Sequence, residues 1–210
     1  MKRTLIYIAT LWAAFACTAS EPEIRTGDLL FEVGATSEMS GAITAATGDD
    51  SPLNFTHVGI AITCEGADSV LEATSNGGVR MTSLDEFLKN ASRINDRPAV
   101  VAMRLSDTTG VAASVARARS FRGLPYDYSY RPDNGRFYCS ELIWESYRTP
   151  DGERIFPARP MNFRATDGTM PAFWVELFER LGEPIPEGEP GTNPNDIAHD
   201  PHLKEVSRWF

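Results

Sequence analysis

A cysteine stands where a Gly-containing loop turns into a helix-like segment, in GRFYCSELIWESY, residues 135–147. A thiol at a helix start lies against unpaired N–H groups and the positive end of the helix, which favour a thiolate. The same N–H groups can hold the oxyanion of an acyl-transfer intermediate. Cys139 is therefore a candidate nucleophile, although an inert thiol packed with Phe137 and Tyr138 fits this stretch at least as well by itself. A thiol nucleophile needs a base, and the base needs an orienting partner. Three histidines are present. His57 opens the apolar run HVGIAIT (57–63), at a strand end where a side chain can reach a cleft while a rigid sheet backs it. Glu72 lies in SVLEAT (69–74), between Leu71 and Ala73, an odd place for an acid without a partner. The short loop CEGADS joins the two runs, so they read as an antiparallel hairpin. That hairpin brings the carboxylate beside the imidazole, where it can accept a ring N–H and raise the ring's pKa. Cys139, His57 and Glu72 thus fit the roles of nucleophile, general base and orienter.

Other residues are weaker candidates. Tyr126, in GLPYDYSY, can place a hydroxyl near the thiolate or the oxyanion, or simply fill core. Asp127 can pin that loop. Ser140, in the first turn after Cys139, is grouped with Tyr126 as a candidate substrate or oxyanion contact. Glu141 is expected to point elsewhere on the helix in a structural bond. His199 and His202 stand near Asp196 and Asp200 in NDIAHDPHL, but loop histidines among prolines are more often solvated. No HExxH or cysteine-pair spacing occurs, so neither a metal nor a cofactor is expected.

These residues need elements to hold them. The 210 residues suffice for one domain with a hydrophobic core. GDLLFEVG (27–34), HVGIAIT, SVLEAT, VRMT and AVVAMRL (99–105) read as strands. SEMSGAITAATG (37–48) reads as a helix with Ser37 as N-cap, and LDEFLKN as a helix opened by a capping box at Thr82. GVAASVARARSFRG (110–123), SELIWESY and PAFWVELFERLG (171–182) complete the helices; Pro171 fits the first helical position and Gly182 follows the end. Strands and helices intermix with hairpins in the middle, which argues for an α+β fold with an antiparallel sheet. The segment 183–201, rich in Pro, Gly and acids, reads as extended chain. Cys64 ends an apolar run and is expected to be a small buried hydrophobe.

The formal net charge of −9 repels phosphate, so nucleic acid is excluded as a partner. No Gly-rich nucleotide-binding pattern occurs. The N-terminus has Lys2 and Arg3, an apolar run from Leu5 to about Ala16, then small residues. This predicts a signal peptide over residues 1–19, followed by one domain over 20–210, and export to the periplasm or cell envelope. Ala14-Phe15-Ala16 offers a cleavage site; alternatively Cys17 is lipidated and anchors the protein to a membrane.

FTHVGIAI, SVLEAT, GLPYDYSY and FYCSELIWESY, in that order, resemble the YiiX-like permuted relatives of the NlpC-type cell-wall peptidases. The tail PEGEPGTNPNDIAHDPHL resembles that family's C-terminal segment, and the likeness runs from about residue 26 to the end. It implies a circularly permuted papain-like fold in which the histidine strand precedes the cysteine helix. It further implies Cys139 as nucleophile, His57 as base and Glu72 as third member. The expected activity is an exported cysteine amidase or peptidase acting on small peptides such as peptidoglycan stem fragments. A thiol acyltransferase or thioesterase acting on lipid or N-acyl substrates shares the chemistry, and a non-catalytic binding module shares the cleft.

Overall fold

The structure is a computed structural model, and it describes residues 23–34, 36–64 and 67–210. The expected signal peptide and Cys17 lie outside these residues. Chain order runs β1 (Leu29–Val33), α1 (Glu38–Thr47), β2 (Phe55–Ile62), β3 (Ser69–Thr74), β4 (Gly78–Ser83) and α2 (Leu84–Asn90). It continues through β5 (Val100–Leu105), α3 (Val111–Ser120), α4 (Cys139–Ser146), α5 (Ala172–Leu181), α6 (Pro194–Ala198) and β6 (Leu203–Arg208). The six strands form one sheet in the order β6-β5-β1-β2-β3-β4, and every neighbouring pair is antiparallel. Two-residue ladders at 93–94 with 97–98 and at 159–160 with 190–191 tie loops together.

Helices cover both faces of the sheet, which is why β1, β2, β3 and β5 are buried along nearly their whole length instead of alternating. On one face α4 buries Leu142 and Ile143 against Val58, Ile60, Leu71 and Ala73. On the other, Phe87 of α2 packs with Leu30, Val70 and Val100. Helix α4 is enclosed almost all round: seven of its eight residues are buried. A central helix of this kind fixes its first residue as firmly as its middle. Among the described residues, no helix is long and apolar enough to cross a membrane.

Several expectations need correction. Ser83, not Thr82, caps α2, accepting from the Glu86 N–H at 3.2 Å; Thr82 is drawn away by a partner described below. Pro171 is the N-cap of α5 and not its first turn. Cys64 is exposed, because β2 ends two residues earlier and leaves it on a loop. The segment 183–201 is not simply extended. Asn193 caps α6 with its side chain, and buried Asn195 reaches out of it. The Asn195 carboxamide accepts from the Phe55 N–H at 3.1 Å and donates to the Thr47 carbonyl at 3.0 Å. The tail thus clamps the end of α1 to the start of β2. Strand β6, which follows it and pairs with β5, has no counterpart in the sequence reading.

Candidate active site

His57 owes its position to the sheet. It lies opposite Glu32 of β1, but the next paired residues are Val33 and Phe55, so Thr56 is an extra residue in β2. Such a bulge bends the strand and re-aims its neighbours, and it ends the regular ladder beside His57. The Thr56 hydroxyl holds the bulge by donating to the Gly34 carbonyl at 2.5 Å.

Glu72 lies opposite Gly59, so it is a diagonal neighbour of His57, two residues along from the directly facing position. A glutamate side chain spans that diagonal. Gly59 makes room for it: a Cβ there would stand 2.4 Å from Val70 Cγ1 and 3.3 Å from Glu72 Cβ. Imidazole Nε2 meets Glu72 Oε2 at 2.7 Å. This engagement leaves Nδ1 as the free ring nitrogen, and Cys139 lines the same cleft. Burial works against a charged ring here, but the neighbouring Cys139, the bond to Glu72 and the nearby Glu32 outweigh it. The His57 pKa is therefore held well above its ordinary value. Glu72 is buried too, which alone would raise its pKa; its bonds to His57 and Thr82 and the charge of Arg80 reverse this and lower it.

Cys139 is the first residue of α4 and is 4% exposed. Its N–H and that of Ser140 open the helix with no carbonyl partner in the preceding turn. Glu141 reaches back to accept the Tyr138 N–H at 3.4 Å, one half of a capping box. It therefore has the structural role expected of it. Burial, then the charge of Asp127, push its carboxyl up to about 9.

Tyr126 does lie beside Cys139, where both line a cleft of about 390 Å³ with His57, Glu72 and Glu32. Its hydroxyl contacts the Met39 sulfur at 3.8 Å. The aromatic loop is docked by Asp127, which accepts from the Ser129 and Arg131 N–H groups, both at 2.9 Å, and by main-chain bonds to Phe137. Ser140 is different. Its hydroxyl is fully buried and donates to the Thr192 carbonyl at 3.1 Å, so it holds the C-terminal segment and does not face the cleft. Only its N–H remains as an oxyanion contact.

Three residues escaped the sequence reading. Thr82 donates its hydroxyl to Glu72 Oε1. Arg80 approaches the same oxygen at 3.8 Å. Both lie on β4, and Arg80 is directly opposite Glu72. Glu32 faces His57 from β1, and burial raises its carboxyl against the pull of the His57 charge. The alternation Arg80-Met81-Thr82 after the Gly77-Gly78 turn was the available signal, because it puts two polar side chains on one strand face.

Comparison with known proteins gives the family and the fold. The model of a family described as permuted papain-like amidase enzyme, YaeF/YiiX, C92 family, matches residues 23–207. The chain belongs to this family. YiiX of Escherichia coli strain K12, an uncharacterized protein, is 28% identical over 211 residues, covering 99% of this chain and 96% of YiiX. The crystal structure of yiiX from Escherichia coli O157:H7 superposes with a TM-score of 0.70 at 26% identity, over 88% of this chain and 97% of that one. The α+β fold is thus that of the C92 amidases, with the histidine strand ahead of the cysteine helix. The O157:H7 protein is described as a metalloprotein. Here the donor set does not fit a metal: among the described residues no three His, Cys, Asp or Glu side chains are grouped to hold an ion. His199 lies tilted against Phe55, ring centroids 5.9 Å apart, while His202 meets Asp200 at 2.7 Å on the surface.

Proposed function

We propose that this papain-like cysteine hydrolase is an exported amidase or peptidase that works through Cys139, His57 and Glu72. The observation that carries this reading is the hydrogen-bond chain from Thr82 through Glu72 to His57, in a cleft that Cys139 also lines. His57 takes the thiol proton, and the thiolate attacks the amide carbonyl. The oxyanion forms against the N–H groups that open α4. The C–N bond breaks as His57 returns the proton to the leaving amine, leaving a thioester on Cys139. Water then attacks the thioester, His57 takes the water's proton, and a carboxylic acid and free thiol result. Glu72 holds the ring orientation and stabilises the imidazolium.

Short peptides such as peptidoglycan stem fragments suit this site. The cleft is open and lined with hydroxyls and charged groups, among them Ser37, Ser40, Thr74, Arg80 and Glu86. The apolar cavity next to Cys139 holds only about 30 Å³, which favours small acyl groups over the lipid chains of an acyltransferase or thioesterase. The basic-then-apolar N-terminus supports export, by plain cleavage or with Cys17 lipidated.

Hydrolysis of a panel of short amides and cell-wall peptides tests the reading. Cys139→Ala should lose about 10³-fold or more in kcat/KM while its circular dichroism spectrum is unchanged. Undiminished turnover by this variant would contradict it.

A further inference from the structure

We propose that the second, smaller cavity lined by Cys139 is an acyl subsite, which takes a compact, uncharged acyl group bearing a hydrogen-bond acceptor. This rests on the amidase reading and adds what the site accepts.

Cys139 and Tyr126 line both the open cleft and this cavity, whereas His57 and Glu72 line only the cleft. The general acid must stand next to the leaving nitrogen. The amine therefore departs through the cleft, and the acyl group that stays on sulfur has the cavity beside it. The cavity wall is an aromatic cluster: Trp174 meets Tyr130 at 5.4 Å and Phe163 at 5.1 Å, both edge to face. Among the described residues, neither Lys, Arg, Asp nor Glu lines it.

Its polar atoms are the telling feature. Tyr130 Oη, Trp174 Nε1 and Thr192 Oγ1 are all buried, all belong to lining residues, and none has a hydrogen-bond partner among the described residues. Buried polar groups are rarely left so, and three around one cavity point to something that binds there. The indole N–H can only donate, so the ligand must supply an acceptor. Burial holds the Tyr130 phenol above its ordinary pKa, so it too stays protonated. With no cation in the wall, a carboxylate would be left unpaired, and a neutral oxygen is preferred.

The frame is rigid. Thr192 is fixed from both sides, by the Ser140 hydroxyl on its carbonyl at 3.1 Å and by its own N–H donating to the Tyr138 hydroxyl at 3.2 Å. Gly191, just before it, has no room for a side chain: a Cβ would lie 2.5 Å from the Met161 sulfur. A volume of about 30 Å³ holds one or two waters or a group of a few heavy atoms. An acyl group that brings its own oxygen can replace such water without losing hydrogen bonds.

S-phenyl thioesters test this, because they acylate the thiol directly and mass spectrometry counts acyl-Cys139 without requiring amide turnover. Propionyl, methoxyacetyl and decanoyl donors are compared, each rate divided by that of the same donor with glutathione. The normalised rate should rank methoxyacetyl above propionyl, with decanoyl roughly tenfold or more slower than either. Thr192→Val should cost methoxyacetyl about three- to tenfold more than it costs propionyl. A flat series in the wild-type protein would overturn the subsite, whatever the variant does, and would mean that the cavity holds water alone. No acylation of Cys139 by any donor would sink the amidase reading itself.

Discussion

Two unlike regions meet at Cys139. The cleft side is polar and charged, and its working parts are close in sequence: His57 and Glu72 bond across 15 residues of one hairpin. The cavity side is aromatic and neutral, and its wall is gathered from separate segments, among them those carrying Tyr130, Phe163, Trp174 and Thr192. The cleft is fixed by strand register, so its geometry follows from main-chain pairing. The cavity is fixed by side-chain packing and by a tail that folds back 52 residues to be gripped by Ser140. A proton-transfer chain needs tight register, whereas an enclosing wall can be gathered from anywhere the chain passes.

That contrast can be broken from the cleft side first. Glu72→Gln should lower kcat/KM by about 10- to 100-fold, measured on whichever amide the wild-type protein cleaves. It should also move the alkaline limb of the pH profile downward. The sign follows from His57: its folded pKa is raised, so the imidazolium survives above the usual range, and losing the Glu72 charge removes part of that support. By the same linkage, the stability His57 lends is fully present below about pH 6.5 and fades as pH rises through the folded value. An unmoved alkaline limb would mean that Glu72 does not act through the ring.

Next in size is Gly59→Ala, which forces a Cβ to 2.4 Å from Val70 Cγ1 and crowds Glu72. It should cost about 1–3 kcal/mol in urea unfolding. It should also reduce turnover, since Glu72 moves with the strand. Full stability in this variant would mean that β2 and β3 do not need the close approach.

The variant expected to affect turnover least probes the tail. Asn195→Ala removes the partners of the Phe55 N–H and the Thr47 carbonyl. A loss of about 1–3 kcal/mol is expected, with the His57–Glu72 chemistry intact apart from the start of β2. Loss of the α1–β2 clamp without any change in stability would show the tail to be an adornment.

How much of this was legible in the sequence follows the same division. His57, Glu72 and Cys139 stood out because each is a polar or reactive side chain in an apolar or helix-starting context. The hairpin between them is short enough for turn chemistry to set. Thr82 misled, because a hydroxyl ahead of an apolar helix reads as a cap when its true partner lies on a strand ten residues back. The bond of the Ser140 hydroxyl to the Thr192 carbonyl was hidden, because proximity in sequence to the nucleophile says nothing about a segment 52 residues on. The tail 183–201 was opaque: Pro and Gly locally favour extended chain, and only long-range packing made Asn195 a clamp and Thr192 a wall. Cys64 looked buried because its apolar neighbours belong to a strand that stops just short of it.

Cys64 now offers the most direct test of the central claim, that Cys139 is an activated nucleophile. Both thiols are free, but Cys64 is exposed and Cys139 buried. Alkylation of the native protein with limiting iodoacetamide, followed by peptide mapping, compares the two in one tube. Accessibility alone puts Cys64 first. The account predicts the reverse, with Cys139 alkylated several times faster at neutral pH and the advantage lost in His57→Ala. Faster labelling of Cys64 in the wild-type protein would contradict it.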